Sequence, residues 1–366
     1  MQINLTRDEL LKPLSYVAGV VEKRQTLPIL SYVLLRQRDS SMTLTGTDLE
    51  IETVATIKNG DNADAELTLP ARKLLDICRA LPSGADIIIR KEGEKAVIKS
   101  GKSRFTLATM PVTDFPCIQA LQWEQVLTIR KGDLKLLFEQ THFCMAQQDV
   151  RYYLNGLLLE FMAKVIRAVA TDGHRMAISE VVIDKGVTAD KQVIVPRKGV
   201  QEMLRLLDDT GDSVEIQVGV NHLRAQTADF AFTSKLIDGR YPDYTKVIPQ
   251  SQNKLLKLQR ETLRETLARV AILSSEKYRG VRLNLANKTL RVTAHNPEQE
   301  EAQEEIGTDY AGENMEIGFN VNYMIDAISA LHSEQIMFGL NDPNSSCTFA
   351  SPDTRYPLYV IMPMRL

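Results

Sequence analysis

The chain has 366 residues, 44% hydrophobic and 25% charged, with only 19 glycines and 14 prolines, which fits a globular protein of two or three domains and excludes a collagen-like or low-complexity chain. Its longest apolar run, residues 358–362, is far too short to span a bilayer, and residues 1–10 lack the basic start and apolar block of a signal peptide, so a cytoplasmic protein is expected. The net charge of −3 argues on average against nucleic acid, and the scattered Cys78, Cys117, Cys144 and Cys347 read as buried reduced thiols rather than metal ligands.

In chain order, an amphipathic helix is predicted over 7–20. Leu44-Thr-Gly-Thr-Asp-Leu-Glu50 follows, with Leu49 and Ile51 alternating against Asp48, Glu50 and Glu52 as in a strand. A second helix over 70–81 leads through Pro82-Ser-Gly84 into the apolar strand Ile87-Ile-Ile89. About 125 residues on, the order returns. A helix over 130–145 carries Leu134, Leu137, Phe138 and Thr141, Thr171-Asp172 matches Thr47-Asp48, and a helix over 196–207 precedes the strand Val214-Glu-Ile-Gln-Val218. A third round brings a helix over 260–273, the alternation Val281/Leu283/Leu285, Asn296 in the Asp position, a helix over 321–332 and the strand Ile336-Met-Phe338. The chain therefore reads as an α+β protein of three repeats, each with two helices packed on antiparallel strands: domains 1–125, 126–253 and 254–366.

Charge is segregated within this pattern. The six predicted helices carry a balance of +5, and the rest of the chain −8. Arg72-Lys73 and Arg197-Lys198 open two helices just after a proline, where cations oppose the helix dipole and a bound phosphate would reverse that cost. A solvated basic face and a DNA-facing one both remain open on this pattern alone. Elsewhere Glu298, Glu300, Glu301, Glu304 and Glu305 crowd together beside Ile272 and Leu273, while Lys95, Lys99, Lys102 and Arg104 lie beside Phe105 and Leu107. Two exposed charge runs are one reading. A head-to-tail contact between the first repeat of one copy and the third of another is the sharper one.

Asp172-Gly-His174 with Ser179 invites a hydrolase reading, but there is no nucleophile elbow, no phosphate-binding glycine loop and no metal-spaced histidine pair, so a non-enzyme without cofactor or metal is expected. The C-terminal residues 360–366 are apolar apart from Arg365, and Pro363 cannot donate to a sheet. Flexible methionines beside a proline suit a groove for short peptides.

The stretches Leu44–Glu50, Gln148-Asp-Val-Arg-Tyr-Tyr-Leu-Asn-Gly156, Ala170-Thr-Asp-Gly-His-Arg175, Val195-Pro-Arg-Lys-Gly199, Arg279-Gly-Val-Arg282, Asn296-Pro-Glu-Gln-Glu300 and Met362-Pro-Met-Arg-Leu366 carry a resemblance over the full length. The chain resembles the bacterial sliding-clamp family, the beta subunits of DNA polymerase III. The resemblance implies a homodimer closed into a ring of six similar domains, with helices lining the hole and sheets on the rim. Such a ring encircles duplex DNA whatever its sequence, slides, and tethers the replicative polymerase, the clamp loader and other polymerases and repair proteins through short peptides. It would act as an accessory subunit, with no membrane role.

By the same resemblance, DNA contacts fall on Arg24, Arg72, Gln148, Tyr152 and Tyr153, to which the helix-start argument adds Arg197 and Lys198. The partner-peptide groove falls on Leu154, Thr171, Gly173, His174, Arg175, Met176, Pro242, Val247, Asn320, Tyr323, Val360, Met362, Pro363, Met364, Arg365 and Leu366. The ring contact joins Lys73, Lys102, Arg104, Phe105 and Leu107 to Ile272, Leu273, Glu298, Glu300, Glu301 and Glu304. Met176 stands where the family often has leucine, and Thr245-Lys246 where two arginines are common, which bears on peptide preference. The helix 321–332 has no basic residue, so equal DNA contact by all three repeats is not expected. The main rival is a peptide-binding scaffold with no DNA role, the second a hydrolase built on His174.

Overall fold

The structure, a computed structural model, describes residues 2–21, 27–38, 41–58, 64–118, 121–187, 189–208 and 211–365. One order of elements runs three times. The first round is β1 (Gln2–Thr6), α1 (Arg7–Ala18), β2 (Tyr32–Arg38), β3 (Ser41–Thr47), β4 (Ile51–Lys58), β5 (Ala65–Pro70), α2 (Ala71–Ala80), β6 (Asp86–Glu92), β7 (Lys95–Ser100) and β8 (Ser103–Ala108). The second is β9 (Gln125–Arg130), α3 (Lys131–Glu139), β10 (Gly156–Met162), β11 (Val165–Thr171), β12 (Arg175–Val182), β13 (Lys191–Pro196), α4 (Arg197–Leu206), β14 (Ser213–Val218), β15 (His222–Gln226) and β16 (Phe230–Lys235). The third is β17 (Lys254–Gln259), α5 (Arg260–Val270), β18 (Gly280–Ala286), β19 (Thr289–His295), β20 (Glu301–Gly307), β21 (Met315–Asn320), α6 (Val321–Ser329), β22 (Gln335–Leu340), β23 (Cys347–Ala350) and β24 (Leu358–Ile361).

The helices begin where the sequence places them, for local reasons. Thr6 caps α1 through a reciprocal box in which Glu9 N–H donates to the Thr6 hydroxyl and Thr6 N–H donates to the Glu9 carboxylate at 2.7 Å. Asn320 caps α6 by accepting from the N–H groups of Asn322 and Tyr323. The helix expected over 130–145 is shorter. It stops at Glu139, where the Thr141 hydroxyl donates to the Leu137 carbonyl at 2.7 Å and a 3-10 turn, His142–Cys144, follows.

The chain forms two compact units, one of Met1–Gly132 with Gln201–Leu236, the other of Asp133–Val200 with Ile237–Leu366. The first contains an antiparallel eight-stranded sheet, β5-β2-β3-β4-β16-β15-β14-β9, and a four-stranded sheet, β1-β6-β7-β8. The second contains the eight-stranded β13-β10-β11-β12-β24-β23-β22-β17 and the four-stranded β20-β19-β18-β21. Each long sheet is thus a seam between repeats: β4 pairs with β16, Thr233 facing Glu52, and β12 pairs with β24, Val360 facing Met176. The middle repeat lends half its strands to each unit.

In the first unit, Leu10, Leu14 and Val17 of α1 join Leu74, Leu75 and Cys78 of α2 in one core with Val33, Leu35, Leu44, Ile87, Ile89 and Ile98. Each of these Leu, Val and Ile side chains contributes about 1.5–3 kcal/mol on burial. Cys78, Cys144 and Cys347 are buried as expected. Cys117 is not: it is exposed, just after Pro116 in the connection from β8 to β9.

Candidate functional site: an apolar cleft at the second seam

The turn between β11 and β12 shapes one edge of a cleft. The Asp172 carboxylate accepts from the N–H groups of His174 (2.9 Å) and Arg175 (3.0 Å), and the Thr171 hydroxyl donates to the Arg175 carbonyl while accepting from Gly173 N–H. Gly173 has φ +88, the left-handed region that favours glycine, and the Arg151 guanidinium packs close over it. The same bonds recur in the first repeat through Thr47 and Asp48, and Asn296 accepts from Glu300 N–H in the third. Asp172-Gly-His174 is therefore one instance of a repeated structural turn.

Around this turn lies a cleft of about 680 Å³ lined by Arg151, Tyr153, Leu154, Thr171, Gly173, His174, Arg175, Met176, Pro242, Asp243, Tyr244, Val247, Ser346, Val360 and Met362. Its lining is mostly apolar. Leu154, Met176, Tyr241, Tyr244 and Val360 belong to one buried cluster with Leu158, Val169 and Ile178. Val247 and Met362 are exposed at the rim. A concave, mostly apolar lining with a few polar groups at its edge has the make-up of a ligand pocket.

Ten of the groove residues expected from the sequence meet in this cleft. The others lie beside it or elsewhere. Tyr323 lies beneath the Arg175 guanidinium, 4.3 Å from its ring centre, in an adjoining recess of about 700 Å³ with Phe143, Met145, Asp149, Asp172, His174 and Arg197. Asn320 is occupied as the α6 cap. The tail is held at two points, Met362 N–H donating to the His174 carbonyl (2.9 Å) and Met364 N–H to the Gly318 carbonyl (2.8 Å), while Pro363 is half-buried and Arg365 exposed. Leu366 lies outside the described residues. Tyr244, Asp243, Ser346 and Arg151 were not singled out by sequence. Nothing in an isolated Arg-Tyr-Pro-Asp-Tyr stretch marks a cleft wall, although its Tyr241-Pro242 repeats Phe115-Pro116 and Tyr356-Pro357.

The residues expected to face DNA are placed as follows. Arg72 and Arg197 both use one guanidinium N–H structurally, donating to the carbonyls of Val21 (3.0 Å) and Met145 (3.1 Å), so each holds the tail of the preceding helical segment. Lys198 is half-buried, and Gln148 is exposed with φ +56. Tyr152 is 56% exposed and packs edge-on to Tyr153, which turns into the cleft. Arg24 lies outside the described residues.

The ring-contact residues occupy strand edges. Among the described strands, β8 and β20 each pair on one side only. Arg104 is exposed, Phe105 half-buried and Leu107 buried on β8. Lys73 and Lys102 are exposed on α2 and in the β7–β8 turn. Glu298, Glu300 and Glu301 are exposed at the start of β20, with Ile272 (75% exposed) and half-buried Leu273 in the turn after α5. Glu304 is already engaged: Arg269 donates to both its oxygens at 2.6 and 2.8 Å and holds its carboxyl below the usual range. No group of His, Cys, Asp and Glu suited to a metal occurs among the described residues, and no helix among them is long and apolar enough to cross a membrane.

Three copies of one β-α-β4-α-β3 unit with an apolar cleft at a seam define a repeated α+β scaffold. Three family models match in succession: the DNA polymerase III beta subunit N-terminal domain over residues 1–119, its central domain over 128–243 and its C-terminal domain over 245–365. The beta sliding clamp of Pseudomonas aeruginosa is 50% identical and that of Escherichia coli (strain K12) 47%, each aligned over the whole of both chains. A crystal structure of the Pseudomonas aeruginosa DNA polymerase sliding clamp with ligand superposes with a TM-score of 0.97 at 49% identity, and the Caulobacter crescentus sliding clamp with 0.94 at 36%, both over the full chains. The chain belongs to the DNA polymerase III beta-subunit family.

Proposed function

We propose that this chain is a processivity factor of chromosomal replication: two copies close head to tail around duplex DNA, slide on it, and hold the polymerase and other partners by short peptides in the cleft at the second seam. It is read as a cytoplasmic accessory subunit with no chemistry of its own and with domains 1–125, 126–253 and 254–366.

The observation that carries this reading is the unfinished third seam. Among the described strands β4 joins β16 and β12 joins β24, while their counterparts β20 and β8 are left with open edges. Edges of this kind are templates for pairing with another chain. The internal repeat also supplies a register. Glu52, Met176 and Glu301 occupy the same place, opposite Thr47, Thr171 and His295. Thr106 stands three residues past the β7–β8 turn as Thr233 stands three past the β15–β16 turn. Since Thr233 faces Glu52, Thr106 of one copy faces Glu301 of the other, and Arg104 faces Gln303. Arg104 then lies diagonally between Glu301 and Glu305 on the solvent face, within reach of a long side chain. Phe105 and Leu107 turn inward toward Ile272 and Leu273. Two such contacts close the ring.

A closed ring requires no base-specific site. Basic helices attract phosphates without fixing register, so the ring moves while topology prevents escape. The cleft's apolar lining supports the peptide role, and Tyr152, Tyr153, Gln148, Arg72, Arg24, Arg197 and Lys198 are assigned to DNA.

The test is solution mass by light scattering at micromolar protein, followed by retention on circular and linear DNA after clamp-loader action. A dimer of about 82 kDa, twice the 41.1 kDa chain, held on circles and lost from linear ends, is expected. A persistent monomer, or equal loss from both DNA forms, overturns the ring.

A further inference from the structure

Behind the Pro242–Val247 wall of the cleft lies a second cavity of about 650 Å³, lined by Glu160, Arg167, Gln192, Arg240, Thr245 and others, with Pro242, Asp243 and Tyr244 shared between the two. The wall therefore has open space on both faces. Tyr244, 7% exposed, passes through it. Its ring joins the apolar cluster under the cleft, with Leu154, Met176 and Val360. Its hydroxyl reaches the polar side, donating to Glu160 Oε2 at 2.5 Å and accepting from Arg167 Nη1 at 2.9 Å.

That network is closed on all sides. Gln192 donates to Glu160 Oε1 at 2.7 Å, and Arg167 Nε donates to Glu180 Oε1 at 2.5 Å. Glu160, Arg167, Glu180 and Gln192 belong to the rigid strands β10 to β13, so the hydroxyl is referenced to the sheet rather than to the loop. Burial, with the Glu160 charge beside it, pushes the Tyr244 hydroxyl up, and it stays a donor at neutral pH. Tyr241 braces the near side, its hydroxyl accepting from Thr171 N–H at 3.1 Å.

We infer that Tyr244, anchored by Glu160 and Arg167, is a positioning residue that sets the width of the peptide cleft and so its preference for large apolar side chains. This rests on the groove reading above. Without the anchor the 3-10 turn Tyr244–Val247 is free to move into the rear cavity, and Pro242 and Val247 no longer hold a leucine-sized group against Leu154, Met176 and Val360. A shift of about 1 Å in such a wall forfeits much of the dispersion contact it makes.

The test uses the full-length protein and two fluorescently labelled six-residue peptides, one with two leucines and one with both replaced by alanine. The wild type is expected to bind the leucine peptide at least tenfold more tightly. Tyr244→Phe is expected to reduce that ratio about fivefold or more, through faster release of the leucine peptide, with alanine-peptide binding unchanged. Glu160→Gln, which keeps an acceptor for the hydroxyl, is expected to retain the wild-type ratio. If Tyr244→Phe melts early, Glu160→Met, which removes the hydroxyl's acceptor where Glu160→Gln keeps it, carries the same comparison. An unchanged ratio, or equal weakening of both peptides, overturns the positioning role. Failure of the wild type to prefer leucine overturns the groove reading instead.

Discussion

Arg175 Nη1 donates to Asp326 Oδ2 at 2.6 Å and so ties the turn between β11 and β12 to α6, 151 residues further along the chain. The same guanidinium donates to Asp172 Oδ2 (3.2 Å) and the Phe143 carbonyl (2.8 Å), with Tyr323 against its face. Its side chain is only 13% exposed. Its three hydrogen bonds go to the turn, to the 3-10 segment at Phe143 and to α6, so Arg175 holds the cleft together as well as lining it.

Arg175→Ala is therefore expected to destabilise the protein by about 2–3 kcal/mol, below most of the range for breaking a fully buried pair because Asp326 is half-exposed. Lysine offers a point charge in place of a planar fork and is expected to recover less than half of the loss. Thermal melts of the two variants check both values. A melt unchanged in Arg175→Ala would mean that the three bonds contribute nothing net.

The repeats were legible because burial is periodic. Helices at 7–20, 70–81, 196–207 and 260–273 match elements ending within about three residues of those bounds. The turn's Asp or Asn acceptor survives in all three repeats, as Asp48, Asp172 and Asn296, because backbone N–H groups need an acceptor there each time. It does so even with Leu49 at φ +80 where the second repeat has Gly173. The seams were not legible, since antiparallel partners such as β4 and β16 are set by long-range packing that leaves no local signal. The resemblance supplied the cleft's floor, Leu154, Met176 and Val360. It did not supply Tyr244 or the use of Asn320 as a cap, because both depend on which atom a side chain meets. Arg72 and Arg197 show a further limit. Both open helices as read, yet each donates to a carbonyl of its own repeat, which a charge count cannot reveal.

The register inferred for the third seam makes a charge-swap prediction. Arg104→Glu places an acid between Glu301 and Glu305 and is expected to weaken the dimer by about 1–2 kcal/mol per contact. Adding Glu301→Lys on the same chain restores an opposite-sign pair at both contacts and is expected to recover most of the dimer. Sedimentation at several protein concentrations measures this. If the double variant is weaker than Arg104→Glu alone, the register is wrong.

The tail makes a separate prediction. Met362 and Met364 are fastened to His174 and Gly318 by single backbone bonds each, beyond the last strand, β24. Deleting residues 362–366 removes the cleft's Met362 wall but no core side chain. The melting temperature is expected to fall by only a few degrees, with peptide affinity down at least tenfold. Isothermal titration with the leucine peptide, beside a thermal melt, separates the two effects. Retained affinity would remove the tail from the site.

Asp149 provides a pH test at the cleft's edge. The Arg151 guanidinium donates to both its oxygens at 3.0 and 2.9 Å and holds its carboxyl at about 2, below the ordinary 3.8. Because the folded value is the lower one, the unfolded chain binds more protons between the two, and stability falls as the pH drops through that window. The contribution is fully present above about pH 4 and lost toward pH 2. Arg151 also donates to the Asp172 carbonyl, so the pair props the turn that carries His174. Carboxyl NMR titration is expected to show Asp149 ionised at pH 3 in the wild type and titrating at higher pH in Arg151→Ala, which removes the guanidinium but keeps the residue-151 backbone N–H bond to the carboxylate. An Asp149 that titrates near 4 in both proteins would mean that the pair does not persist in solution, and Arg151 would then be free to meet a bound peptide directly.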